Sequence, residues 1–157
     1  MSDFTDVDLR IARLIDQVTP AARTALARRL AADLRKSNAT RIRENMEADG
    51  GAMEPRKPRE RSGGGLRARI GPAALRGAKM FARASGAKYL RARATADGAQ
   101  IGYTGAMARI MRVHQLGLRD KVSHDGPSIA YPAREILGIS DGDRARLLDI
   151  LAGNFDG

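Results

Sequence analysis

The chain contains no cysteine and no tryptophan, and only two of its 157 residues are histidine. The absence of cysteine excludes disulfide bonds, thiol nucleophiles and cysteine-ligated metal centres, and it is typical of a reducing compartment. A zinc or non-haem iron site needs three or four His, Cys or carboxylate ligands in a tight set. Because His114 and His124 lie ten positions apart with no cysteine beside them, we expect no bound metal and no cofactor.

Aromatic residues are also scarce, at 4% of the chain, and alanine supplies much of the 43% that is hydrophobic. The length suits one domain with a modest core. An alanine-rich core is thin, and oligomerisation is one way to compensate for it. No run of about 18 apolar residues is present, which predicts no membrane-spanning segment. The start of the chain, MSDFTDVDLR, is acidic and lacks the pattern of a signal peptide, so we expect no membrane contact.

Local catalytic motifs are missing as well. The glycines at 63–65 do not follow a predicted strand and lack the Lys-Ser/Thr of a phosphate-binding loop. Asp141-Gly142-Asp143 resembles the start of a calcium loop, but no glutamate closes it at the required position. A Ser-His-Asp set is assembled in space, so a hydrolase with His114 as base stays open as a minor alternative. We expect that the protein is not an enzyme and takes no small-molecule substrate.

Positive charge is concentrated in the middle of the chain. The formal net charge is +10, and the stretch from Arg56 to Arg93 carries twelve Lys and Arg against one acidic residue, Glu60. Such a stretch attracts a polyanion or an acidic protein face; the alternative is a solvated arm that aids solubility. The residues predicted to face DNA or an acidic partner are Arg56, Lys57, Arg59, Arg67, Arg69, Lys88, Arg91 and Arg93.

Apolar spacing of three and four residues predicts helices at both ends of the chain. One helix is predicted over Phe4–Val18, and a second from the Thr19-Pro20 cap to about Ala48, with a bend or break within Lys36–Thr40. A Gly- and Pro-rich stretch follows, which predicts a long mobile loop. We therefore divide one domain into a helical segment (1–48), a flexible basic loop (49–72) and a compact part (73–157).

The compact part mixes helices and strands. After a short helix over Ala73–Ala84, alternation with period two predicts a β-hairpin around Asp97-Gly98 that buries one face and displays Arg91 and Arg93 on the other. A helix ending at Gly117, a polar loop, a short strand at 129–131 and a final helix complete the chain. The fold class is α+β: long N-terminal helices and a C-terminal helix packed on a small antiparallel sheet.

Several segments in order resemble the phage virion morphogenesis family, the tail completion proteins of Mu-like and related contractile-tailed phages. They include RVHQLGLRDKV, then YPAREILGIS before the last helix, TPAART at Thr19–Thr24, and the Pro55–Pro58 loop. Lys79–Phe81 and Gly102–Gly105 follow the same order. The likeness covers roughly residues 10 to 152. The Gly-rich loop after Pro58 departs from the pattern of the family.

The resemblance implies a non-enzymatic virion protein for tail completion and head–tail joining, assembled in the host bacterial cytoplasm and located at the head–tail junction. Related neck proteins form rings, commonly of six subunits. The implied partners are other copies of the chain, other neck and tail proteins, and DNA passing through the channel. Residues matching recurrent family positions are expected to shape the end of a helix and the strand that returns from it: His114, Gly117, Pro132, Arg134 and Gly138.

A rival interpretation is a basic protein that binds nucleic acid without sequence preference in the host cell. A basic stretch supplies affinity for phosphate but reads no bases. The sequence shows no helix-turn-helix, zinc finger or aromatic stacking platform. The two interpretations differ in whether the isolated chain binds DNA before assembly.

Overall fold

A computed structural model describes residues 19–54, 80–122 and 124–155 of the chain. The predicted helix over Phe4–Val18 and the stretch from 55 to 79 lie outside the described residues. In the described part, the elements run in the order helix, short 3₁₀ helix, β-hairpin, helix, second β-hairpin, helix. This arrangement confirms the predicted α+β class. None of these helices is long and apolar enough to cross a bilayer.

The first described helix, α1, spans Pro20–Glu44 and is continuous. It begins as predicted: the Thr19 hydroxyl accepts a hydrogen bond from the Ala22 amide at 3.2 Å, and Pro20 occupies the first turn. The helix ends at Asn45, whose φ of 62° places it in the left-handed region. The prediction of a bend or break within Lys36–Thr40 is wrong, and the helix ends earlier than the predicted Ala48.

Asn38 explains why α1 does not break at this polar stretch. Its side chain is fully buried, and its amide nitrogen donates to the Leu34 carbonyl inside the helix and to the Gly138 carbonyl outside it, at 2.9 and 3.1 Å. Its amide oxygen accepts from the Gly138 N–H at 3.1 Å and from the Arg41 guanidinium at 2.8 Å. The polar residues that resemble a helix break therefore form the helix face that binds residue 138.

The first hairpin packs on α1. Strand β1 (Leu90–Thr95) pairs antiparallel with β2 (Gly98–Tyr103), with Leu90 opposite Tyr103 and Thr95 opposite Gly98. Ala96 and Asp97 form the turn, so the predicted Asp97-Gly98 turn is displaced by one residue. Neither turn residue has a positive φ, and the Asp97 N–H instead donates to the Thr95 hydroxyl at 3.2 Å. The sequence predicts Ala94 opposite Ile101, whereas Ala94 pairs with Ala99. Because this shift is of two residues, Arg91 and Arg93 stay on the face predicted for them.

The next helix, α2, spans Gly105–Leu116 and ends as predicted at Gly117, whose φ is 63°. The Leu118 N–H donates to the Val113 carbonyl at 2.9 Å, the 6→1 bond of a Schellman motif. Strand β3 (Arg119–Lys121) follows and pairs with β4 (Ser128–Ala130). Strand β4 corresponds to the short strand predicted at 129–131, shifted by one residue. The polar loop predicted from Arg119 is wrong in part, because it contains β3 and the two strands form a second hairpin. The ion pair between Arg109 and Asp120 joins this hairpin to α2.

The hydrophobic core lies where α1, the 3₁₀ helix (Ala82–Ser85), the first hairpin and α2 meet. It consists of two alanines, two methionines, two isoleucines, one leucine and one phenylalanine: Ala39, Ala84, Met53, Met111, Ile42, Ile136, Leu90 and Phe81. Ile136 belongs to no helix or strand and is nevertheless fully buried. The core therefore requires the segment that carries Ile136 to be held in place by other contacts.

The last helix, α3 (Asp141–Phe155), is joined to α1 by a buried carboxylate. The Ser140 N–H donates to Asp143 Oδ2 at 2.8 Å and the Asp143 N–H donates to Ser140 Oγ at 3.1 Å, which is a capping box. Asp143 also pairs with Arg146 and lies 3.9 Å from Arg41 of α1. Burial acts to raise the pKa of Asp143, but hydrogen bonds from Ser37 and Ser140 and the charge of Arg146 hold it below its ordinary value.

Replacing Asn38 by Ala should destabilise the fold markedly. The substitution removes an acceptor and a donor that serve Gly138 and Arg41, and it leaves buried backbone groups unpaired. We expect a loss of about 2–4 kcal/mol in the free energy of unfolding, measured by urea denaturation. Lys36→Ala, an exposed change on the same helix, should stay within about 0.5 kcal/mol of the wild type. Equal stability of the two variants would contradict the role given to Asn38.

Asp143 should make stability depend on pH in the acid range. Because its pKa is lowered in the folded state, its contribution is complete above the unfolded pKa of about 3.9 and is lost as pH falls through the folded value. Asp143→Asn keeps the size of the side chain and removes the charge. The difference in unfolding free energy between wild type and variant should be largest near neutral pH and should shrink below about pH 4. Urea unfolding at a series of pH values measures it; a difference that stays constant with pH would refute this role.

Candidate functional site

The five positions singled out by the family resemblance lie along one junction. The chain leaves β4 and runs back over the end of α2 as a segment without helix or strand from Tyr131 to Gly138, which we call the return segment. Its backbone bonds to the helix end: the Tyr131 N–H donates to the Leu118 carbonyl at 3.1 Å, and the Arg134 N–H donates to the His114 carbonyl at 2.8 Å. Pro132 lies between these two donors, where no N–H is needed.

His114 is packed at the centre of this junction. Its ring meets the edges of two aromatic rings, with centroid distances of 4.9 Å to Phe81 and 4.8 Å to Tyr131. Its Nδ1 atom lies 3.2 Å from the Arg134 guanidinium. A guanidinium can only donate, so Nδ1 is the acceptor in this contact. These contacts place the ring as a link between the 3₁₀ helix, α2 and the return segment.

Arg134 is a charged side chain with only 3% of its surface exposed. Its Nε atom donates to the Glu54 carbonyl at 2.8 Å and its Nη1 atom to the Pro132 carbonyl at 3.3 Å. Burial lowers its pKa, while the charges of Glu54 and Glu47 act in the opposite direction. Arg134 thus fastens the return segment to the chain that follows α1, and a residue of another type could not reach these acceptors with the same planar fork.

The two glycines of the set are required by close approach. A Cβ atom on Gly117 would lie 2.9 Å from the Ala133 nitrogen, in addition to the strain of its left-handed backbone. A Cβ atom on Gly138 would lie 2.6 Å from the Ala48 Cβ. Both glycines therefore let the return segment touch the helix ends directly.

Sequence reasoning missed the amide side chains that complete this junction. Gln115 donates to the Leu137 carbonyl at 3.0 Å and accepts from the Leu137 N–H at 2.9 Å, as a neighbouring strand would. Asn38 of α1 likewise donates to the Gly138 carbonyl and accepts from the Gly138 N–H. Arg41 also donates to the Gly138 carbonyl, at 2.7 Å. The sequence carries a signal for these two residues. Asn38 and Gln115 are polar, yet each lies four positions from a buried apolar residue of its helix, Leu34 or Met111.

The basic positions form a separate surface. Arg91 and Arg93 are exposed and lie two residues apart on β1, so they project from the same face of the hairpin. Lys88 is exposed just before the strand, with its ammonium 5.4 Å from the centre of the Tyr89 ring. The remaining predicted positions lie outside the described residues: Arg56, Lys57, Arg59, Arg67 and Arg69. The structure therefore describes three of the eight basic residues and places two of them, Arg91 and Arg93, on one face.

The other candidates for chemistry are spread apart. His124 lies in the loop between β3 and β4 with its Nδ1 atom 2.9 Å from Asp125, and both side chains are almost fully exposed. Tyr103, at the end of β2, is half-buried, and this burial raises its pKa to about 12. Within the described ranges, no three His, Cys, Asp or Glu side chains are grouped so that they could hold a metal ion.

Comparison with known proteins gives the family. No solved structure matches the chain significantly. The chain is 30% identical over 157 residues to tail completion protein S of Escherichia phage P2, and the match covers 99% of both proteins. The family profile for phage virion morphogenesis matches residues 2–156. With its whole length matched by one profile, the chain belongs to the phage virion morphogenesis family.

Proposed function

We propose that the chain is a structural, non-enzymatic virion protein that completes the phage tail and joins it to the head. The observation that carries this proposal is the full-length similarity to a protein named for tail completion. In this proposal several copies, six by analogy with other neck proteins, form a ring at the head–tail junction. Its partners are the neighbouring neck and tail proteins.

The construction of the fold supports a role in assembly. The core cluster of the described residues has eight members, two of them alanine. A core of this size leaves association between copies as a means of burying more apolar surface. At the same time seven large hydrophobic side chains of the described residues are exposed, among them Leu116 at 55% and Leu148 at 64%. Exposed apolar side chains of this kind lose contact with water when copies associate.

The Arg91–Arg93 face supports a contact with an anionic surface. Neither guanidinium forms an ion pair with the described part of the chain, so both charges are available to a partner. In the proposed ring this face meets either the DNA in the channel or an acidic neighbouring protein. Contacts with phosphate alone carry no sequence information, which suits DNA that slides through a channel.

Complementation of a phage that lacks this gene tests the proposal. Electron microscopy of lysates without the protein should show filled heads and full-length tails lying separate, and the wild-type gene should restore joined particles. We expect Arg91→Glu/Arg93→Glu to reduce the yield of infectious particles at least about tenfold, because it reverses the charge presented to the partner. Arg28→Glu/Lys36→Glu is the matched control, since it makes the same change of charge at exposed positions of α1.

Normally joined virions in the absence of the gene would overturn the proposal. The net charge of +10 then favours the rival function, binding of nucleic acid in the host cell. That function requires the isolated chain to bind duplex DNA with an affinity that falls steeply with salt. The assembly function instead requires weak or no binding before the ring forms.

A further inference from the structure

The exposed side of α2 carries an apolar groove with a basic rim. The groove has a volume of about 350 Å³ and lies between α2, the end of β2 and the return segment. Its walls are mainly apolar and include Tyr103, Met111, Leu116 and Leu137. Arg112, one helical turn before Leu116, is exposed at the rim and forms no ion pair with the described part of the chain. The groove therefore fits an apolar side chain that arrives with a carboxylate beside it.

Helix α3 presents a face of that composition. One side of the helix carries five exposed residues, Asp141 and the residues four, seven, eight and eleven positions after it: Ala145, Leu148, Asp149 and Ala152. Leu148, at 64%, is the most exposed of the large hydrophobic residues in the described chain. Asp149 follows it directly and forms no ion pair with any described residue. The opposite side of α3 is occupied by Asp143 and Arg146, which bind α1.

The α2 groove and the α3 face do not pack against each other within one chain. Leu116 and Leu148 are each more than half exposed, so neither covers the other. The groove carries an unpaired positive charge and the α3 face an unpaired negative charge, next to the two most exposed leucines of the described residues. Opposite charges beside a shared apolar contact favour one orientation of association and oppose the contact of like faces.

We propose that the α3 face of one copy, centred on Leu148 and Asp149, docks into the α2 groove of the next copy, with Asp149 against Arg112. This inference rests on the proposed assembly function and specifies the contact between its subunits. The contact joins two different surfaces, so every copy offers one free surface of each kind after it has bound. A contact of this type continues from copy to copy and closes into a ring when the rotation between copies allows it.

Cross-linking tests the contact directly, because the chain has no cysteine of its own. Purified Leu116→Cys/Leu148→Cys should form a ladder of disulfide-linked multimers on mild oxidation. Each single cysteine variant should remain uncrosslinked, since its thiol faces a leucine of the neighbour. The control is Gln100→Cys/Leu148→Cys, which moves one thiol to an exposed position on the first hairpin and should give no ladder.

Charge reversal provides the second measurement. Arg112→Asp and Asp149→Arg should each weaken self-association at least about tenfold, read by sedimentation velocity across a concentration series. The double variant Arg112→Asp/Asp149→Arg should recover association, because the pair is restored with its charges exchanged.

The outcomes separate this inference from the proposed function. A ladder together with recovery in the double variant supports the contact. A wild-type chain that stays monomeric at all concentrations, or single variants that associate like the wild type, would overturn it. If such variants fail the contact test while the gene is still needed for joined particles, the proposed function stands and the subunit contact lies elsewhere. If the contact is found but virions join without the gene, the proposed function fails and the contact stands.

Discussion

The hydrogen bonds that Asn38 and Gln115 make to the return segment hold the described part of the chain together. That segment has no neighbouring strand, yet it delivers Ile136 to the core and leads into α3. Its N–H and C=O groups at Leu137 and Gly138 face the helices in a half-buried setting, where unpaired backbone groups are costly. Two side-chain amides supply these partners, each acting as both donor and acceptor. Without these hydrogen bonds Ile136 would be held less firmly in the core, and the chain that leads into α3 would be less well positioned.

This dependence follows from the composition of the core. With few aromatic residues and many alanines, the apolar contacts alone define the position of each segment weakly, since small side chains interlock less than large ones. Directional polar contacts compensate: Arg134 reaches Glu54, Asn38 reaches Gly138, and Arg146 joins Asp33 at 3.2 Å. Hydrogen bonds have preferred directions, so each of these contacts restricts how the segments that it joins can be oriented.

The sequence predicted those features that depend on local chemistry. The Thr19-Pro20 start of α1 and the Gly117 end of α2 follow from capping rules that involve only nearby residues, and the structure confirms both. The faces of the first hairpin were also predictable, because alternation with period two preserves them when the register shifts by an even number of residues. The position of the turn was not predictable from Asp97-Gly98 alone. The Thr95 hydroxyl accepts a hydrogen bond from the Asp97 N–H and stabilises a turn at Ala96-Asp97 instead.

What the sequence did not reveal depends on distant partners. Lys36–Thr40 resembles a break when read alone, and it becomes a continuous helix only because Gly138, a hundred positions away, binds Asn38. The β3–β4 hairpin has short, exposed strands, and such strands carry no alternating apolar pattern. His114, Arg134, Gly117 and Gly138 were singled out by family resemblance alone. Only the structure shows what they share: Arg134 and Gly138 belong to the return segment, and His114 and Gly117 contact it.

Polar side chains in the interior of the described residues bind the chain itself, whereas several charged side chains on its surface are left for contacts with other subunits. Inside, the charged and amide groups of Asn38, Arg134 and Asp143 are engaged with backbone or opposite charge. Outside, Arg91, Arg93, Arg112 and Asp149 are exposed and make no ion pair with the described residues. The interior contacts of these three residues help to fix the shape of the subunit, while the surface charges remain available to other subunits. A fixed subunit with unpaired charges beside exposed leucines is suited to repeated contact with copies of itself, because each contact then forms without refolding the subunit.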